Sequence, residues 1–318
     1  MTYSRRELGK LALAALPASA AFHPARLFAA PNSRFGGVQI SAITYSFWRD
    51  VKDPAPMLPN LVKIGVSAVE LMSDDAERLA GAPLIPGLGA GGVPRPKEDA
   101  SVAEGRRKRA EWRKSANAAT FQRVRKMFDD AGVNLALLCY NMAATIQDDE
   151  IEHAFNMARA LGVRAMSSTS TVAVARRVAP FADKHKILWG GHNHADVKNP
   201  NEFASLASFE TILGMSKYFG ANLDIGHFTA ANLDAVSFIR KNHTRITNIH
   251  LKDRKRNDGP NVPWGQGDTP IKDVLQLLKK EKYPFPASIE FEYPIPPGSN
   301  STAELAKCLD YARKCLEG

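Results

Sequence analysis

The sequence predicts an α/β fold, a single (β/α)8 barrel with a long insertion after the second strand. Three observations predict it. Short apolar, β-branched runs alternate with segments of helical spacing along the 318 residues. Eight such runs can be counted, with a helix after nearly every one. Four of them, all in the second half of the chain, end on a polar side chain of metal-ligand type. Repeated strand and helix units with short links argue for parallel strands covered on both faces. Barrels of about 250 residues are single domains, so the length accommodates one.

In order, strands are expected over 38–45, 66–71, 133–139, 163–166, 187–189, 221–224, 246–251 and 287–291, each rich in Val, Ile, Leu and Ala. Helical spacing marks 57–64, 118–131, 149–161, 172–181, 231–239, 271–280 and 302–316. The connection after the fifth strand is the weakest, because 199–213 has Pro200 near its start and mixed periodicity. The segment 73–115 is too long for a simple link, and its middle, 82–96, is Gly/Pro-rich and irregular. Gly87 to Gly92 formally match GxGxxG, but Val-Pro-Arg-Pro follows where a nucleotide loop must open a helix, so that reading is rejected. Long barrel loops serve as lids or binding loops. The insertion is therefore expected over the barrel mouth, with Arg106 to Arg113 supplying charge near a polar substrate; a plain surface loop is the alternative.

Hydrophobic residues make up 44% and charged residues 24%, the composition of a globular protein with a sizeable core. No stretch approaches the roughly 20 apolar residues of a membrane span. The net charge of +9 is local: residues 95–126 hold eleven Lys/Arg against four Asp/Glu. A solvated helix face accounts for this segment, and no nucleic-acid partner is expected. Ser4-Arg5-Arg6-Glu7-Leu8-Gly9-Lys10, then a short apolar run and Ala18-Ser-Ala20, predicts a twin-arginine export signal over residues 1–31, leaving 32–318 as the barrel. Cleavage is expected after Ala20 or near Ala30, and the location periplasmic or extracytoplasmic. Three cysteines make no disulfide framework. Cys308 and Cys315 would stand about 10 Å apart along a helix, beyond disulfide reach, and Cys139 ends a strand. All three read as core thiols.

The chemistry lies in the four strand endings: Gly-Gly-His192-Asn193-His194, Asp224-Ile-Gly-His227, His250-Leu-Lys252-Asp253 and Glu290-Phe-Glu292. One such ending is ordinary. Four in succession converge on the mouth of a parallel barrel, where barrel enzymes keep their active sites. His250 and Lys252 share a strand face, as do Glu290 and Glu292, because side chains repeat every two residues. An inward carboxylate costs several kcal/mol unless it is paired or binds a cation. A mixed set of imidazole and carboxylate suits one divalent ion, with no thiolate to insist on zinc. Lys252 is an electrostatic partner for an oxyanion or phosphate, or else pairs with Asp253, while Trp48 and Trp264 are candidates for stacking on a sugar ring.

Asp-x-Gly-His, His-x-Lys-Asp, Gly265-Gln-Gly267-Asp268 before a helix, and Ile-Glu on the last strand resemble the xylose-isomerase-like TIM-barrel superfamily of sugar (phosphate) isomerases and epimerases. The resemblance covers roughly residues 38–316. It implies one divalent cation (Mn, Zn, Co, Fe or Mg) held by four ligands, of which Asp224, His250 and Glu290 match the last three. The first departs from the family, because His192 stands where Glu is usual. The family's epimerases pass a proton between two carboxylates through an enediolate, so with His192 in that place the pair is incomplete, and Glu70 or Glu292 is a substitute base. The resemblance then implies a catalytic set of Glu290, His192, Lys252 and Glu70, and substrate contacts from His194, His227, Asn193 and Trp48. The expected partner is a small carbohydrate or polyol; a homo-oligomer stays open. A lyase or dehydratase using the same enolate chemistry and a non-catalytic sugar-binding barrel remain alternatives. An abasic-site endonuclease needs more metal ligands and a broader basic surface.

Overall fold

Eight parallel strands pair in the order in which they occur and close on themselves: β1 (Val38–Ile43), β2 (Ala68–Met72), β3 (Asn134–Cys139), β4 (Ala165–Thr169), β5 (Leu188–His192), β6 (Phe219–Asp224), β7 (Ile246–Leu251) and β8 (Ala287–Ile289). The barrel closes where Ile40, Ser41 and Ala42 of β1 stand opposite Ala287, Ser288 and Ile289 of β8. This computed structural model describes residues 30–93 and 96–318. The export signal expected over 1–31 lies, but for its last two residues, outside the described residues. Among the described residues no helix is long and apolar enough to cross a membrane.

The outer layer comprises α1 (Met57–Ile64), α2 (Ser73–Leu79), α3 (Ala100–Ser115), α4 (Ala118–Asp130), α5 (Asp148–Leu161), α6 (Val172–His185), α7 (Leu206–Leu213), α8 (Ile225–Ala230), α9 (Ala235–Asn242), α10 (Ile271–Glu281) and α11 (Ser301–Glu317). The main core lies between strands and helices, where Phe128, Phe155, Trp189, Phe209 and Phe219 are almost wholly buried. Inside the barrel the layer below the mouth is polar. Ser41, Glu70, Ser167, Asn222, Asn248 and Ser288 are all buried there, where barrels usually carry branched apolar side chains.

Several boundaries differ from the sequence expectation, each for a local reason. β5 runs on through Gly190 and Gly191, which periodicity placed beyond the strand end. Both positions exclude a Cβ, since one at Gly190 would meet Thr247 and one at Gly191 would lie 2.7 Å from the Phe203 ring. The helix expected over 231–239 begins only at Ala235 as α9, and a short helix that was not expected, α8, precedes it. Asp224 caps the first through the amide of His227 at 2.7 Å, Asp234 caps the second through that of Ser237 at 3.0 Å, and Asn232 makes the turn at φ +61°.

The insertion is more regular than its composition suggests, since α2 and α3 fill both of its ends. Arg106 to Arg113, expected to supply charge near the substrate, do not line the cavity. Arg109 is buried against Asp74 and donates to the carbonyl of Pro83, and Arg113 bridges Glu77 at 2.6 Å and Glu150 at 2.9 Å. Only the solvated part of the charged helix face behaves as expected, with Arg107 and Lys108 exposed beside Glu104.

Candidate metal and substrate site

The floor of the site is the Glu70 carboxylate on β2. It accepts from Asn248 Nδ2 at 2.8 Å, Ser288 Oγ at 3.0 Å, Asn222 Nδ2 at 3.3 Å and Ser167 Oγ, and pairs with His250 Nε2 at 2.8 Å. Burial alone would raise its pKa, yet His250 and the donated hydrogen bonds hold it below the usual carboxylate range. Glu70 has no exposure and does not line the cavity, which corrects its expected role as a base facing substrate.

Above this floor the ends of β5, β6, β7 and the segment after β8 bring His192, Asp224, His250 and Glu290 together. One ligand atom from each lies within 4.8 Å of every other. His192 donates from Nδ1 to Asn222 Oδ1 at 2.7 Å, which leaves its Nε2 lone pair bare. Burial holds that imidazole neutral, with His250 and His194 adding to the downward shift. His250 Nδ1 stands 3.0 Å from Glu290 Oε2, and the two flanking carboxylates outweigh burial and push its pKa up to about 10. Asp224 Oδ1 caps α8, whereas the buried Oδ2 accepts no directed hydrogen bond and is met by the Lys252 ammonium 3.0 Å away. A carboxylate oxygen balanced by charge alone, beside a bare imidazole nitrogen, is what a cation site presents when its ligands are preset. The residues present therefore fit one divalent ion.

Lys252 is buried and touches three carboxylates: Glu292 at 2.6 Å, Asp224 at 3.0 Å and Glu290 at 3.0 Å. Burial would lower its pKa, but these partners raise it well above the ordinary lysine value. Asp253 is not its partner. Its carboxylate accepts from the amides of Gly265, Gly267 and Thr269 and so folds the loop after β7. Burial raises Glu290, offset only in part by Lys252 and His250, while for Glu292 Lys252 outweighs burial and lowers it. Two carboxylates on one strand thus have opposite proton affinities, the pattern that separates base from charge partner.

His192, His194 and His227 form a triangle of rings with centroids 5.2 to 5.8 Å apart on one wall. His194 Nδ1 faces Glu202 at 3.3 Å. Arg254 Nη1 stands 2.7 Å from His227 Nδ1 and Lys252 Nζ 3.1 Å from its Nε2, so both ring nitrogens face cationic donors. Burial and Lys252 depress the pKa of His227 well below the usual histidine value. The cavity measures about 270 Å³ and is also lined by Tyr45, Met72, Val93, Cys139, Asn141 and Thr169, the scale of a small-molecule pocket.

Two expected substrate contacts lie elsewhere. Asn193 clamps the backbone of Asp224, accepting from its amide at 2.9 Å and donating to its carbonyl at 3.1 Å, and so positions the ligand strand. Trp48 does not line the cavity; the Arg49 guanidinium covers its ring at 4.4 Å. Tyr45 is the aromatic that faces inward, with its hydroxyl on Glu292. Trp264 packs edge-on against Tyr311.

The insertion reaches the cavity through Val93, held by a buried carboxylate on α2. Asp75 accepts from Thr44 Oγ1 at 2.7 Å and from the amide of Gly91 at 2.9 Å, and burial pushes its pKa up to about 7. A folded-state value above the unfolded one, about 3.9, contributes stability that is full below pH 4 and lost as pH rises through 7. Asp75→Asn should remove that slope and be more stable than the wild type at pH 8, on the order of a few kcal/mol. Urea unfolding at pH 5 and pH 8 measures it, and an unchanged gap between the two proteins would count against the account.

The family description "Xylose isomerase-like TIM barrel" matches residues 60–314. The chain belongs to that family. No curated protein matches the sequence. Among solved xylose isomerase-like and related barrels, the chain is similar to the probable 3-DHS dehydratase AsbF from Bacillus anthracis, at 14% identity and TM-score 0.60 over 88% of this chain and 99% of that one. It is also similar to a sugar phosphate isomerase/epimerase from Parabacteroides distasonis, at 16% identity and TM-score 0.56 over 95% and 100%. A third is the IolI protein with a bound zinc atom, at 14% identity and TM-score 0.58 over 88% and 96%. At these identities the likeness shows a common fold. Within that fold, His192 stands at the end of β5 in the cluster with Asp224, His250 and Glu290.

Proposed function

We propose that this barrel is a divalent-metal-dependent isomerase or epimerase of a sugar or polyol, removing a proton next to a carbonyl to give an enediolate. The observation that carries the reading is the convergence of His192, Asp224, His250 and Glu290 at the ends of four successive strands, with one carboxylate oxygen that accepts no directed hydrogen bond. A cation held there supplies positive charge that polarises a carbonyl. The remaining work falls to the chain's own groups. Glu290, whose proton affinity burial raises, is the base, and Lys252 holds Glu292 and Asp224 ionised beside it. His194 and His227 line the cavity wall and meet the hydroxyls of the substrate, with His227 held between Arg254 and Lys252.

A lyase is the second reading, and a specific observation favours it. Glu290 and Glu292 come from one segment and share the cavity with the imidazoles of His192, His194 and His227. A carboxylate base in a cavity lined by imidazoles suits removal of a proton and loss of the neighbouring hydroxyl as water. We place the protein outside the cytoplasm on its N-terminal sequence, so an unphosphorylated substrate is expected.

Incubation with unphosphorylated ketoses and keto-glycosides in D2O tests both readings. Metal-dependent deuterium incorporation with return of the sugar supports the isomerase, and formation of an enone supports the lyase. Binding of these sugars with neither outcome would leave a carbohydrate-binding barrel.

A further inference from the structure

We infer that Glu70 is a positioning residue that decides which ring nitrogen His192 keeps bare, and which His250 turns, toward a metal ion. This rests on the metal reading above but asks a separate question of the same site. An ionised carboxylate only accepts hydrogen bonds, so every group that contacts it must donate. His250, 2.8 Å away through Nε2, must therefore carry a proton there, which turns its Nδ1 toward Glu290 and the ligand cluster.

The second relay runs through Asn222. Its two Nδ2 hydrogens serve Glu70 at 3.3 Å and Asn248 Oδ1 at 2.8 Å, leaving none for His250 Nε2 3.1 Å away, and Asn248 is itself turned by donating to Glu70 at 2.8 Å. The Asn222 amide is then fixed with its carbonyl oxygen 2.7 Å from His192 Nδ1. A carbonyl oxygen accepts, so His192 carries its proton on Nδ1 and keeps Nε2 bare. One carboxylate on β2 thus presets two imidazoles on β5 and β7. A buried charge in this layer costs several kcal/mol that an apolar filling would avoid. The polar floor of Ser167, Asn222, Asn248 and Ser288 serves to keep that charge where both relays need it.

Glu70→Gln keeps the volume but replaces one accepting edge with a donor, so at least one relay loses its acceptor. Zinc affinity of the full chain, measured by titration with zinc alone, is expected to weaken about 10- to 100-fold in E70Q. Circular dichroism and the metal-free melting temperature establish that the variant is folded. Histidine-selective nitrogen NMR on the metal-free wild type should show the His192 proton on Nδ1, and E70Q should redistribute it between the two nitrogens of that ring. Unchanged zinc affinity in folded E70Q overturns the inference, as does a wild-type His192 protonated on Nε2. A purely structural role for Glu70 would lower the melting temperature without moving the tautomers. If E70Q does not fold, the wild-type tautomer still decides. A wild type that binds no zinc defeats the metal reading and leaves the tautomer measurement to judge Glu70.

Discussion

Asp224→Ala and Asp224→Asn are both expected to lose stoichiometric binding of a divalent cation, and metal-dependent proton exchange with it, by on the order of 100- to 1000-fold. The two variants separate the two jobs of one side chain. Asp224 Oδ1 caps α8 through the His227 amide, and Oδ2 faces the Lys252 charge without a directed hydrogen bond. Asparagine retains an accepting oxygen for the cap but not the charge. Alanine loses both and should cost a further ~1 kcal/mol in metal-free stability. Metal analysis of the purified proteins and thermal unfolding in chelator provide the two readouts. Wild-type metal content in Asp224→Asn would sink the ligand assignment.

Lys252→Met should produce the largest loss of stability. The substitution leaves Asp224, Glu290 and Glu292 together in a buried site without their shared cation. Breaking a buried charge pair costs about 3–5 kcal/mol, and three carboxylates place this case toward the upper end. The loss should depend on pH in a definite direction. Lys252 lowers the folded pKa values of Asp224 and Glu292, so the stability they contribute is present above the unfolded values and is lost as pH falls through the folded ones. The gap between wild type and variant should therefore be widest near neutral pH and narrow below about pH 4. Zinc should restore much of the loss, because a ligand at 1000 times its Kd stabilises the folded state by about 4 kcal/mol. A metal-free Lys252→Met protein as stable as the wild type at pH 7 would contradict the ion-pair account.

Much of this was legible in the sequence because it follows from periodicity. The closed barrel follows from eight strand and helix units, and the ligand cluster from polar residues at four strand ends. The floor could have been read by the same rule carried two residues back. Asn222 precedes Asp224, Asn248 precedes His250 and Ser288 precedes Glu290 by one strand repeat, so all point into the barrel. What periodicity cannot supply is depth. Glu70 and Glu290 both follow apolar residues near strand ends, yet one lies under the histidines and the other lines the cavity. The stagger of neighbouring strands sets that difference, and it is fixed only when the barrel closes. The arginines of α3 were legible as charge but not as buried partners of Asp74 and Glu77, because their contacts cross 35 and 36 residues of chain.

The polar floor also dictates when the site can come into being. Glu70 meets Ser167, His250 and Ser288 across 97, 180 and 218 residues of sequence, and Ser41 meets Ser288 across 247. Contacts this distant carry the full loop-closure cost and form late in folding. The last of them requires the final strand to pair with the first. Until then the carboxylate has no complete set of donors and the histidines have no preset tautomer. A nascent or half-folded chain therefore has no cradle to load, and cation capture belongs to the finished barrel.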